Sequence, residues 1–240
     1  MKTRFLIIIG MISILAVFVF VYGVFTINSE SKPQTIFCGD NFIQQGSGCV
    51  LDPRLINSIK PNTVMIYQAP ENAGRRLAIA PSTLVIDFEE NNTITWINQG
   101  FSSAKVTDRD RGLWSIDEIK PSMQKSISFN STGFYSFLVV EGFDGESGRI
   151  VVLGDDVDSL SVGIRAKMAQ AIISGNFSEY PELVGVASGG APDTGVVIEI
   201  NEKELELHDD AKSYYYKKYS KIIPFDVPIT IEFGEPIRLD

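Results

Sequence analysis

Residues 81–107, PSTLVIDFEENNTITWINQGFSSAKVT, and residues 133–153, GFYSFLVVEGFDGESGRIVVL, decide how this chain folds. Short β-branched and aromatic runs alternate with Gly-, Asn- and Pro-containing turns, the pattern of an all-β sandwich. Residues 83–88 (TLVIDF) read as a strand, 89–92 (EENN) as a turn, and 93–97 (TITWI) as the next strand. Ile94 and Trp96 fall on one face of that strand and Thr93 and Thr95 on the other, so one side is apolar and one polar. Residues 104–107, 126–129, 133–140 and 149–153 supply the remaining strands.

Working outward, residues 5–26 (FLIIIGMISILAVFVFVYGVFT) carry no charge. As a helix this run is roughly 33 Å long, enough to cross a bilayer core. Lys2 and Arg4 precede it and the next basic residue is Lys32, so the positive-inside rule puts the N-terminus in the cytoplasm and the rest outside. The alternative is a cleaved signal peptide, whose apolar region would be shorter and would end at a small-x-small site. The expectation is a single-pass anchor over residues 1–27 in the cell membrane, with lipid contact through 5–26.

A linker follows over residues 28–72. It contains Cys38 and Cys49, the only cysteines. Outside the membrane two nearby cysteines pair, and the loop GDNFIQQGSG between them turns back easily. Residues 63–67 are an apolar run with the look of a strand.

Beyond the sandwich, set at residues 73–154, residues 155–240 read as a small α+β domain. Leu160, Ile164, Met168 and Ile172 recur at helical spacing, with Asp158 or Ser159 to cap the start and Gly175 to end the helix in a left-handed conformation. Residues 183–187 form a strand, 196–207 a strand pair broken near Asn201, and a second helix capped by Asp209 or Asp210 runs to about Ile223 before a last strand at 228–233. The fold class expected is mainly β: a transmembrane helix, a β-sandwich, then this α+β unit.

Across the sandwich the framework Trp96-Ile97-Asn98, Lys105-Val106-Thr107, Trp114-Ser115, Ile119-Lys120-Pro121, Gly133-Phe134-Tyr135-Ser136-Phe137 and Gly148-Arg149-Ile150-Val151-Val152 resembles the plastocyanin-type cupredoxins, blue-copper electron-transfer domains. Exported cupredoxin-like proteins with a short Cys-bearing segment before the domain are a style associated with archaea. The resemblance implies four copper ligands. At the positions it assigns to the first His, the Cys, the second His and the axial Met, this chain has Ala104, Val139, Gly142 and Glu146. A type 1 centre needs two imidazoles and a thiolate with a weak axial ligand. The only histidine is His208, far along the chain. The expectation is a sandwich with no metal and no cofactor.

The same loops carry Asp108, Asp110, Asp117, Glu118, Glu141, Asp144 and Glu146, oxygen ligands that a hard cation would accept or a solvated acidic rim. Phe101, Leu113, Trp114 and Phe143 are candidates for an apolar docking patch near one end, although Leu113 and Trp114 also suit a core. Asn91, Asn130 and Asn176 each begin an Asn-x-Ser/Thr sequon, a candidate glycan site outside the membrane.

A net charge of −9 without a basic stripe argues against nucleic acid as a partner. His208, beside Asp209 and Asp210, could act as a base, but a lone junction His is ordinarily a capping or surface residue, and no nucleophile elbow, P-loop or zinc motif accompanies it. The reading is therefore not an enzyme. It is an extracytoplasmic binding or assembly module, an accessory subunit that meets a membrane or cell-surface protein. Copper-dependent electron transfer is the alternative that the resemblance implies.

Overall fold

The computed structural model describes residues 37–45, 48–68, 77–189 and 195–235. The anchor read at residues 5–26 lies outside them; among the described residues no helix is long and apolar enough to cross a membrane. The described residues belong to one compact unit.

The unit opens with a hairpin, β1 (Phe42–Gln45) and β2 (Gly48–Leu51), stapled by the Cys38–Cys49 disulfide with its Cα atoms 5.5 Å apart. In the chain-entropy picture, closing a loop of this length is worth about 3 kcal/mol.

Two sheets make the sandwich. The first, in the order β4-β3-β6-β9, contains β3 (Thr63–Gln68), β4 (Leu77–Ala80), β6 (Thr93–Asn98) and β9 (Gln124–Ser128). The second, in the order β5-β11-β10-β7-β8, contains β5 (Thr83–Asp87), β7 (Ala104–Asp108), β8 (Ser115–Ile119), β10 (Gly133–Glu141) and β11 (Asp144–Leu153). The sandwich thus begins at Thr63, earlier than the boundary at residue 73 read from sequence, because β3 pairs with both β4 and β6.

Alternation explains the packing. Ile94 and Trp96 of β6 are fully buried, while Thr93 and Thr95 face out and pair their hydroxyls with Ser128 (2.8 Å) and Ser126 (2.9 Å) across the ladder. Val64, Ile66, Val106, Phe137, Val139, Ile150 and Val152 join Trp96 in this core. Trp114 and Phe137 stand against the Trp96 ring at centroid distances of 5.6 and 5.8 Å.

The run Ile150-Val151-Val152 is apolar without alternation because its strand is covered on both faces. Ile150 and Val152 face the sandwich, and Val151 faces a second core. That second core is built on α1 (Val162–Gly175), α2 (Ala211–Ser220) and a small sheet in the order β12-β13-β14, with β12 Leu183–Ser188, β13 Val196–Asn201 and β14 Ile229–Gly234. Helix α1 buries Ala166, Met168, Ala169, Ala171, Ile172 and Ile173, residues that span most of its circumference, and leaves only a narrow polar strip with Lys167 exposed. The α+β segment is joined to the sandwich through it.

Local details differ from the sequence reading. Ser161 caps α1, accepting from the Ile164 N–H, and the chain leaves through Asn176 rather than a left-handed Gly175. Gly175 is small for another reason: an added Cβ would come 3.0 Å from Thr83 Cβ on β5. Asp210 caps α2 by accepting from the Ser213 N–H at 3.1 Å. Residues 202–206 coil into a 3₁₀ turn rather than a second strand, since the Asn201 side chain accepts from the Lys203 N–H and ends β13.

Candidate functional site

The register of β10 and β11 places the residues at the copper-ligand positions. Val139 stands directly opposite Glu146, and the ladder runs unbroken to the pair Glu141 and Asp144. Gly142 and Phe143 alone make the turn, with Gly142 at φ +58, the first position of a two-residue hairpin that favours glycine. On the other side Val139 pairs with Val106. Val139 and Ala104 are both buried in the sandwich core. Two of the four positions are therefore packed apolar core, one is a turn glycine, and one is half-buried Glu146 on a strand. Among the described residues, no group of three or more His, Cys, Asp or Glu side chains gathers as a metal site would.

The acidic residues of the loops are dispersed. Asp108 is buried and accepts N–H groups from Asp110 (3.0 Å), Arg111 (3.2 Å) and Leu113 (3.1 Å), so it folds the β7–β8 loop. Asp117 pairs with Lys105 at 3.3 Å, and Glu118 accepts from the Ser103 hydroxyl at 3.0 Å.

Strand direction divides the apolar candidates between the two ends of the sandwich. Phe101 lies in the β6–β7 loop and Phe143 in the β10–β11 turn, both at the end where β7 begins at Ala104. Leu113 and Trp114 lie in the β7–β8 loop, past Asp108 and hence at the other end. The four do not form one patch, because β7 runs the length of the sandwich between them. Trp114 also turns inward, against Trp96 and Phe129.

Met123, in the β8–β9 turn, joins Phe101 and Phe143 at their end. All three side chains are out in solvent: Phe101 is 82% exposed, Met123 54%, and Phe143 fully so. Their backbones are held. Asn98, the last residue of β6, is 1% exposed; its Nδ2 donates to the carbonyls of Ser102 (2.7 Å) and Ile119 (2.8 Å), and its Oδ1 accepts from the Gly100 N–H (2.8 Å). Its main chain bonds to Ser122 and Met123. Gln68 Oε1 accepts from the N–H groups of Phe101 and Ser102. One buried amide thus fixes the Phe101 loop and the Met123 turn together, and Gln68 braces the first.

Asn91 and Asn130 are exposed at the opposite end, beside the start of β6 and the start of β10. Asn176 is exposed at the end of α1, its Nδ2 donating to the Ile172 carbonyl at 3.3 Å. His208 is half-buried, its ring stacked on Tyr214 at 3.7 Å and edge-on to Tyr215.

The sequence reading missed a polar cluster in the second core. Glu182 is buried and receives Lys218 Nζ at 2.5 Å and the Tyr219 hydroxyl at 2.7 Å. Burial pushes the Glu182 carboxyl up, but the hydrogen bonds from Lys218 and Tyr219 outweigh it and hold the group below the usual carboxylate range. Burial, aided by Glu182, pushes the Tyr219 hydroxyl well above its ordinary value. Lys218 also lies over the rings of Tyr180, Tyr215 and Tyr219 at 5.4–6.0 Å. Each polar member is satisfied, which marks the cluster as a clasp between α2 and the residues before β12.

No protein-family model matches the sequence, and no curated protein gives a significant match. The solved structures it resembles include cupredoxins and a copper-containing nitrite reductase. A purple cupredoxin from Nitrosopumilus maritimus aligns at 16% identity over 38% of this chain and 98% of that one, with a TM-score of 0.30. A reduced Cu(I) form of an amicyanin variant aligns at 16% identity over 41% and 89%, with a TM-score of 0.28. The copper-containing nitrite reductase of Thermus scotoductus aligns at 16% identity over 40% of this chain but only 23% of its own, with a TM-score of 0.29. At such scores the likeness carries no argument about activity, and the sandwich rests on its own strand order.

Proposed function

We propose that this chain is a membrane-anchored, extracytoplasmic protein-interaction module, an accessory subunit of a membrane complex, built on a cupredoxin-like sandwich that works without copper and is not an enzyme. The observation that supports this reading is the end of the sandwich bearing Phe101, Met123 and Phe143. Large apolar side chains held out in water gain by burial against a partner. Because Asn98, Gln68 and the tight β10–β11 turn already fix their backbones, little ordering cost remains to be met on docking. The candidate glycan sites Asn91 and Asn130 lie at the far end, where a sugar would leave this surface clear.

The test is isolation of the full chain from its native membranes with and without the paired changes Phe101→Ser and Phe143→Ser. The reading expects a co-purifying membrane or cell-surface protein with the unaltered chain and its loss with the doubly altered one. An unaltered chain that isolates alone would contradict it. Copper-dependent electron transfer, the alternative, expects stoichiometric copper and an intense thiolate-to-copper band in the same preparation.

A further inference from the structure

On the outer face of the five-stranded sheet, one cross-strand row reads Thr83, Arg149, Ser136, Arg109. Thr83 is in register with Arg149, Arg149 with Ser136, and the Arg109 N–H donates to the Ser136 carbonyl at 3.0 Å. Two arginines therefore flank one serine, their backbones about 10 Å apart, two strand spacings. Helix α1 lies over the next row, where Val151 and Phe134 enter its core. Beside it the row opens as a pocket of about 170 Å³ lined by Ser82, Thr83, Arg109, Ser136, Ser147, Gly148 and Arg149.

The lining is basic in an acidic protein. The chain has 30 acidic residues and a net charge of −9, yet none of the seven lining residues is an acid. Among the described residues neither guanidinium forms an ion pair, and the hydroxyls of Ser82, Ser136 and Ser147 make no hydrogen bond. Ser136 is 9% exposed and lines both this pocket and the adjoining cavity. The site gathers two cations and several hydroxyl donors without a carboxylate to neutralise them.

The backbones that carry the two exposed arginines are held in place. The Arg149 N–H donates to the Ser82 carbonyl at 2.8 Å, and the loop carrying Arg109 is folded around the buried Asp108 carboxylate. Nearby charges do not cancel the pair. Asp108 and Asp110 line the adjoining cavity, but so do Arg111 and Lys167. The C-terminal turn of α1, packed near Thr83, contributes about half a negative charge at most, and Asn176 caps its carbonyls. Two full positive charges prevail.

We propose that this row is a binding site for a tetrahedral oxyanion, a phosphate or sulfate group, with Arg109 and Arg149 clamping it from either side and the serine hydroxyls donating to its remaining oxygens. Guanidinium forks match such groups in geometry as well as charge. The site lies on a sheet face rather than at the docking end, so it stands apart from the function proposed above.

The test is calorimetric titration of the full chain, in neutral detergent, with inorganic phosphate, sulfate and glycerol phosphate. The expected result is saturable one-to-one binding that Arg109→Gln and Arg149→Gln each weaken at least tenfold, while Lys120→Gln, the same charge change far from the row, leaves it unaltered. Near-ultraviolet dichroism from the buried Trp96 verifies that each variant is folded. Glycerol phosphate binding like inorganic phosphate assigns the site to an esterified group, and its exclusion assigns it to the free ion. No saturable binding, or an equal loss with Lys120→Gln, would overturn the proposal.

Discussion

Val139 stands directly opposite Glu146 in the β10–β11 ladder and beside Val106 of β7, its side chain inside the sandwich core. A side chain at position 139 points into packed apolar core, and the next position implicated by the resemblance, Gly142, is the turn itself. Installing two of the ligands together should therefore fail. Ala104→His combined with Val139→Cys is expected to give no intense thiolate-to-copper band when the protein is offered Cu²⁺, as read by visible absorption. Ala104→His adds bulk and polarity at one packed position and Val139→Cys removes volume at another, so a fall in stability of about 1–3 kcal/mol accompanies them.

Asn98 joins two loops through one side chain, so its removal should loosen both. Asn98→Ala leaves the Gly100 N–H and the Ile119 carbonyl without their partner and should cost about 3 kcal/mol. Hydrogen exchange is expected to speed up at Gly100 and Ser102 and in the Met123 turn, with the strands of the other sheet unchanged.

Glu182 gives the stability a pH dependence. Its carboxyl is held below the usual range in the folded protein, so its contribution is present above the unfolded value of about 4.3 and is lost as pH falls through the lower folded value. Chemical denaturation across the acid range should show stability declining below about pH 4, and Glu182→Gln should flatten that part of the profile. At neutral pH the same change removes the ion pair with Lys218, which is a third exposed, and should cost about 1–2 kcal/mol.

The orientation proposed for the chain can be read with its own sequons. Synthesised into glycosylating microsomes, the full chain is expected to gain mass through Asn130, and Asn130→Gln should reduce the gain. A chain that gains no glycan at Asn91, Asn130 or Asn176 would speak against an extracytoplasmic sandwich.

Much of the sandwich was legible because alternation reports burial directly: Ile94 and Trp96 lie inside and Thr93 and Thr95 outside, as the run TITWI implies. Two polar residues broke that pattern. Asn98 and Asp108 occupy inward positions of β6 and β7, where an apolar side chain is expected, and both are buried organisers of loops. Such a misplaced polar residue is a signal the sequence does contain. The ends of the sandwich were not legible. Deciding that Phe101 and Phe143 share an end, and that Leu113 does not, requires strand direction and register, which involve partners distant in sequence. The row of Arg109 and Arg149 was hidden for the same reason, since 40 positions separate residues that register sets two strands apart. Helix α1 looked one-faced because its alanines carry little apolar weight, although Ala166, Ala169 and Ala171 are as buried as Met168.

The central claim is that the Phe101 and Phe143 end holds a protein partner. The most direct test places a photoreactive residue at position 143 of the full chain in its native membranes, with a second preparation labelled at position 130 at the far end. A discrete protein adduct from position 143 and none from 130 is the predicted result. Adducts of equal yield from both positions, or none from 143, would contradict the account.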